Sequence, residues 1–381
     1  MCLRGRHHKK DTGYAWVVCI SCFLIYLICD GIGMSFGVLV PDIKKRLGTT
    51  TSQAAFIGSL HIGLCYLIAP VNLILAKALG FRKVSVIGAV VVTVALIACG
   101  SMKSLVSLTV MYGVVGSIGI CMIITVAELA VNEWFDQRRA LANSIVYSGC
   151  SVGYFVSAPI LTSVVESYGL QAAFMTEGFV TFLCILLGFF LKAPIEETSR
   201  SDTPPENASI PGRLHELLIN MINKEMLCDK GFIMYVLGRI FSCFSLLVPL
   251  IYVPSLMLEF GKNNVEASLA ITILGIFNLV GRLACGVLDK FPAWAIKVNS
   301  VACLGSAILL VVMPHCENIY FMYSVCGGYG LMTATMVSLS PSMIVLLIGA
   351  DRVGPGLGIN MFIYGLMSLA GIFCTFLYSI T

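Results

Sequence analysis

"SLAITILGIFNLVGRLACGVLDK", residues Ser268 to Lys290, is apolar for nearly its whole length, yet it carries an arginine, Arg282. As a helix rising about 1.5 Å per residue, a run of this kind covers a hydrocarbon core of about 30 Å. In lipid every backbone N–H and C=O has to be satisfied within its own segment, so the helix is the form the run takes. A guanidinium held at that depth is expensive and needs something to hold on to. Arg282 is therefore the first functional candidate.

The same pattern recurs along the chain. Of its 381 residues 58% are hydrophobic and 12% charged, with a mean hydropathy of +0.93. Soluble domains carry about 25% charged residues. Apolar runs predict spans near 14–40, 54–76, 84–100, 105–131, 140–165, 171–192, 231–258, 266–288, 293–313, 318–347 and 353–380, eleven in all. The expected fold class is an all-α polytopic membrane protein. "RGRHHKK" at the start is basic, but the run from Trp16 to Val40 is too long for the core of a cleaved signal, so it reads as the first span. The 16 cysteines are scattered singly, apart from Cys19 and Cys22 within one span. They read as small apolar fillers rather than a metal or disulfide framework, and neither a metal site nor a cofactor is expected.

Between the sixth and seventh runs lies a long polar segment, 193–230, containing "PIEETSRSDTPPENASIPG". Its proline, serine and charge mark a linker. Its second part, "GRLHELLINMINKEML", places Leu214, Leu217, Leu218, Met221 and Ile222 on one face, the pattern of a helix lying on the membrane surface. Seventeen of the 24 lysines and arginines fall in the N-terminal tail, the linker and alternate loops, which places those segments in the cytoplasm. On that topology the sequon at Asn207 faces the cytoplasm.

Six runs, a linker and a second set of runs follow the parallel-repeat plan of the major facilitator superfamily. The expected division is a tail over 1–13, a first bundle over 14–192, the linker with its interfacial helix over 193–230, and a second bundle over 231–381. "LAKALGFRKV" (75–84) and "GVLDKFPAWAIKV" (286–298) resemble worn copies of that superfamily's short basic inter-helix motif. The second half is shorter by about one helix and a loop, which reads as a missing twelfth helix.

Two stretches point to a narrower family. "DTGYAWVV", with Asp11, Gly13, Tyr14 and Trp16, resembles the signature that opens the first span of monocarboxylate transporters. "EWFDQRRALANSIVYSGCSVG" resembles their second signature through Phe135, Arg138, Arg139, Leu141, Ala142, Gly149 and Gly153. In the second signature the two arginines suit anchorage at the inner surface, and Gly149 with Gly153 forms a small-x-x-x-small face for close packing. A structural role is the better reading of this motif. Arg282 matches the eighth-span arginine that the family uses to hold a substrate carboxylate. The family's aspartate one turn earlier is here Asn278, and its first-span lysine is here Met34. The resemblance therefore implies transport of small monocarboxylates or related organic solutes at the plasma membrane by alternating access, with proton symport left open.

Ionisable groups inside spans are functional hypotheses by default. Arg239 and Arg282 lie roughly 12 and roughly 9 Å from the inner ends of their spans, and Asp30 and His61 each roughly 21–22 Å. Two layers are thus expected, paired cations below and an acid with an imidazole above. Arg282, assisted by Arg239, is expected to bind the anion, with Asn278 donating a hydrogen bond. Asp30 is a further pocket candidate, and Tyr329 is one weighed against a packing role. Asp30 with His61 is a candidate proton relay, weighed against an Asp30 that offsets the cations and a packed histidine. Glu128 reads as an interfacial residue or a partner of Arg138.

No H-E-x-x-H or P-loop spacing occurs, which argues against an enzyme. The rival reading is a transport-silent paralogue or truncated isoform acting in interaction or trafficking. The expected partners are a small organic anion, the lipid bilayer and, as in some relatives, a single-span immunoglobulin-type ancillary glycoprotein; no nucleic acid is expected.

Overall fold

The computed structural model describes residues 10–193, 229–246, 260–287, 292–349 and 352–378, together with Val253, Leu256 and Met257. Most of the linker, with its expected surface helix and the sequon, lies outside the described residues. Every element within them is helical. The first half contains α1 (Gly13–Ser35), a short helix Val40–Leu47, α2 (Thr51–Leu67), α3 (Ala69–Leu79), α4 (Phe81–Cys99), a π-helical stretch Thr109–Gly116, α5 (Ser117–Trp134) and α6 (Arg139–Gly188). The second contains α7 (Lys230–Leu246), α8 (Asn264–Cys285), α9 (Pro292–Val312), α10 (Ile319–Ser338), α11 (Ser340–Ile348) and α12 (Val353–Tyr378).

Local chemistry sets the ends and bends. Thr50 and Gln53 form a capping box ahead of α2, and Asn263 and Glu266 form another ahead of α8, each satisfying first-turn N–H groups that have no partner within the helix. Pro70 and Pro341 lie in the first turns of α3 and α11, where the missing N–H costs nothing. These helices meet α2 and α10 at bends of 51° and 40°. Gly169 divides α6 with φ 80° and ψ 174°, a conformation that a side chain would resist.

Six helical stretches among the described residues are long and apolar enough to cross a membrane, or up to eight if each bent pair is one span. Hydropathy expected eleven runs. The two tallies differ because the 50 residues of α6, split at Gly169, count as a single stretch although they hold two of those runs. In addition, the apolar part of α8, Leu269–Cys285, stops just short of the usual spanning length, and α7 is described only as far as Leu246.

The core of the first half is one continuous cluster from Ala15 to Leu191, joined by Met361 of α12. The second half has smaller clusters, one around Leu274 and Tyr329 and others around Leu339 and Ile344. The flanks carry exposed apolar side chains such as Ile20, Phe179, Leu304 and Val311. That surface suits hydrocarbon rather than water.

Candidate functional site

The two signature stretches meet. Asp11 reaches the start of α6, where its carboxylate accepts from the backbone N–H groups of Asp136 (3.3 Å), Gln137 (3.1 Å) and Arg138 (3.2 Å). A carboxylate there satisfies the N–H groups of the turn that leads into α6 and sits near the positive end of the helix dipole. The Tyr14 ring packs on Trp134 at 5.2 Å and Trp16 on Phe135 at 5.1 Å. Tyr14 Oη and Trp134 Nε1 donate to the carbonyls of Phe190 and Lys192 beyond α6. Arg139 is buried and folds back onto the Phe135 carbonyl and Asp136. Side chains at Gly149 and Gly153 would strike the carbonyls of Phe23 and Leu27, so α1 and α6 pack with their backbones nearly touching. Cys19 of α1 donates to the Ala142 carbonyl, and Leu141 lies against Gly286. The signatures thus form a joint between α1, α5 and α6.

That joint leads into a polar centre between the two halves. Arg282 on α8 is buried; its Nε donates to Asn278 Oδ1 at 2.8 Å and its Nη1 to the Tyr147 main-chain carbonyl on α6 at 2.5 Å. Ser151 of α6 donates to the same Asn278 oxygen at 3.0 Å. The Asn278 amide donates to the Gly330 carbonyl at 3.1 Å and to Thr333 at 3.3 Å on α10. The four-residue spacing of Asn278 and Arg282 puts both on one helix face. Cys150 donates to Asp30 Oδ2 at 2.6 Å, and Tyr66 also hydrogen-bonds that carboxyl. Arg282 interacts electrostatically with Asp30. Asp30, expected in a layer above the cations, therefore stands within electrostatic reach of Arg282.

Arg239 on α7 is buried beside this group. It donates through Nε to Asn360 at 2.9 Å and through Nη1 to the Met336 carbonyl at 3.2 Å, while Tyr235 donates to the same Asn360 oxygen. Across from it lies Glu128, which corrects the sequence reading. It is buried rather than interfacial, and its carboxyl accepts from Tyr26 (3.0 Å) and Tyr147 (2.9 Å), not from Arg138. Arg239 and Asp30 both act on it electrostatically. Tyr147 thus links the two groups, its phenol to Glu128 and its carbonyl to Arg282. Tyr364 of α12 stacks edge-on against Tyr66 at 4.6 Å and interacts with Asp30, Arg239 and Arg282.

Two expected residues stand elsewhere. His61 is buried with Nδ1 2.9 Å from the Tyr112 carbonyl and 3.3 Å from Ser117 Oγ. Among the described residues no hydrogen bond joins it to Asp30, because α1 and α2 present these side chains to different neighbours. Tyr329 is buried in the core cluster of the second half with Leu274 and Met322. Sequence reasoning misread Glu128 and missed Tyr26, Tyr66, Tyr147, Asn360 and Tyr364. A signal was available for Glu128 alone, as an acid inside an apolar run.

A sequence model of the Major Facilitator Superfamily matches residues 22–372. Monocarboxylate transporter 3 of Rattus norvegicus is 22% identical over 364 residues, covering 95% of this chain and 73% of the relative. Among solved structures, the human organic anion transporter MFSD10 (TETRAN) is similar with a TM-score of 0.74 at 14% identity, covering 96% of this chain and 94% of the other. The proton:xylose symporter XylE, bound to 6-bromo-6-deoxy-D-glucose, is similar with a TM-score of 0.70 at 16% identity, covering 95% and 88%. The relatives are membrane transporters and not enzymes, and the apolar helices make this a multi-pass membrane protein. The chain belongs to the Major Facilitator Superfamily, as a transporter homologous to the monocarboxylate transporters.

Proposed function

We propose that this protein carries small organic anions of the monocarboxylate class across the plasma membrane by alternating access, with Arg282 as the group that binds the carboxylate. The observation that carries the reading is where the guanidinium sits: buried between the two halves, with the neutral oxygens Asn278 Oδ1 and the Tyr147 carbonyl among its acceptors. A guanidinium matches a carboxylate with two parallel N–H bonds and stays charged throughout a cycle. A carboxylate that takes the place of the Tyr147 carbonyl exchanges a neutral acceptor for a charged one. It also releases a bond that ties the halves together.

The site's charge suggests how a proton takes part. Arg239 and Arg282 face Asp30 and Glu128 within mutual electrostatic reach, two cations against two carboxyl groups. Protonating one carboxyl leaves a single net positive charge, which one monocarboxylate neutralises. The reading is therefore symport of one proton with one anion, with Asp30 and Glu128 as the carriers. The basic tail and linker support an N-terminus in the cytoplasm. Retention of this polar centre at the cost of burying four ionisable groups argues against a transport-silent scaffold.

The test is uptake of a panel of radiolabelled monocarboxylates by the full chain at two external pH values. Saturable uptake that rises as external pH falls supports the reading. Absence of uptake for every acid, with the protein at the surface, refutes it.

A further inference from the structure

A second polar cluster lies in the first half, and the transport site described above does not use it. Glu177, on the part of α6 that follows Gly169, is 4% exposed, and neither of its carboxyl oxygens has a hydrogen-bond partner among the described residues. Tyr112 lies in the π-helical stretch, fully buried, and its hydroxyl is likewise without a partner. The two groups interact electrostatically, and Cys99 at the end of α4 joins them. The Tyr112 ring is held among His61 at 4.8 Å, Phe36 at 4.6 Å and Phe174 at 5.9 Å. His61 turns Nδ1 to the Tyr112 carbonyl, which leaves Nε2 buried and unpartnered.

The Glu177 carboxyl and the Tyr112 hydroxyl, orphaned and within electrostatic reach of each other, call for a ligand. With Nδ1–H donating to a carbonyl, His61 Nε2 is a bare acceptor. A carboxylate at this depth with no donor is among the costliest groups a protein can bury, whereas a carboxylic acid is neutral and is itself a donor. Among the described residues no three His, Cys, Asp or Glu side chains stand together as metal ligands. The elements packed here contribute His61 from α2, Cys99 from α4, Tyr112 from the π-helical stretch and Glu177 from α6, while the 3₁₀ turn after α1 contributes only Phe36. The nearby cation Arg46 is bonded to the Gly100 carbonyl at 3.1 Å. A π-helical stretch at Tyr112 fits the frequent placement of such turns at functional sites.

We propose that Glu177 and Tyr112 form a buried proton-binding site separate from the substrate site. The Glu177 carboxyl carries the proton, with the Tyr112 hydroxyl as its neighbour. The site does not depend on Arg282 being the anion-binding group.

The test is infrared spectroscopy on the full chain reconstituted in lipid, comparing wild type, Glu177→Gln and Tyr112→Phe at neutral pH, in sodium and in choline salts. The expected result is a protonated-carboxyl carbonyl band in wild type that is absent from Glu177→Gln, shifted in Tyr112→Phe and indifferent to sodium. Glu177→Gln, which mimics the neutral acid, should unfold at an unchanged temperature. Identical bands in wild type and Glu177→Gln would overturn the proposal, as would a band abolished by sodium. If Glu177→Gln fails to fold, an unshifted band in Tyr112→Phe overturns it. Arg282→Lys should leave the band in place whatever it does to uptake, which keeps the two readings separable.

Discussion

Arg282 on α8 donates to the main-chain carbonyl of Tyr147 on α6, so the residue assigned to the substrate also bonds one half of the protein to the other. The phenol of the same tyrosine donates to Glu128. Anion, proton and closure of the halves therefore converge on one stretch of α6, next to the glycines that seat it against α1. Alternating access needs such convergence, since an effector shifts a conformational equilibrium only through contacts that differ between the states.

Tyr147→Phe removes the bond to Glu128 and keeps the carbonyl that faces Arg282. Because Tyr26 still serves the carboxyl, thermal unfolding should show a loss of about 1–3 kcal/mol, with KM for uptake unchanged. Tyr26→Phe combined with Tyr147→Phe should cost more than the two losses together, since the pair shares one acceptor. Strict additivity would count against a shared carboxyl.

Asp11→Ala should weaken the turn that leads into α6 by about 1–2 kcal/mol, comparable to the loss of a side-chain cap. The reading is structural, so surface abundance should fall while KM stays constant. A raised KM with normal abundance would instead place Asp11 in the substrate path.

Gly153→Ala sets a methyl group against the Leu27 carbonyl across the joint between α1 and α6. Overpacking of this kind costs about 1–3 kcal/mol. Gly37→Ala is the control, since a Cβ there meets nothing within 4 Å, and its melting temperature should match wild type.

Asn278→Asp places a carboxylate against the guanidinium of Arg282. Ionised, it competes with the substrate; protonated, it releases Arg282. Uptake by the variant should therefore rise more steeply than wild type as pH falls and be lowest at alkaline pH. A profile parallel to wild type would show that Asn278 does not govern access to Arg282.

Periodicity and length made the helices legible, and the cost of a buried charge singled out Arg282, Arg239 and Asp30 before any fold was known. The partners were not legible in the same way. Glu128 is bonded to Tyr26, 102 residues earlier in the chain, and no linear pattern encodes that meeting. Asp30 and His61 looked like a pair only because their depths agree. Which face each helix turns to its neighbour is decided by packing, and packing sends His61 to Tyr112 and Asp30 to Cys150. Tyrosines inside an apolar run look like core, so Tyr66 and Tyr364 carried no mark of their place beside the acid.

The central claim is tested most directly by monocarboxylate uptake through Arg282→Lys at surface abundance matched to wild type. Lysine keeps the charge but loses the planar pair of donors, and a charge-assisted hydrogen bond is worth about 1.5–3 kcal/mol. The account requires uptake to fall by at least about tenfold, the factor that about 1.4 kcal/mol corresponds to. Uptake equal to wild type, with the same KM, would contradict it.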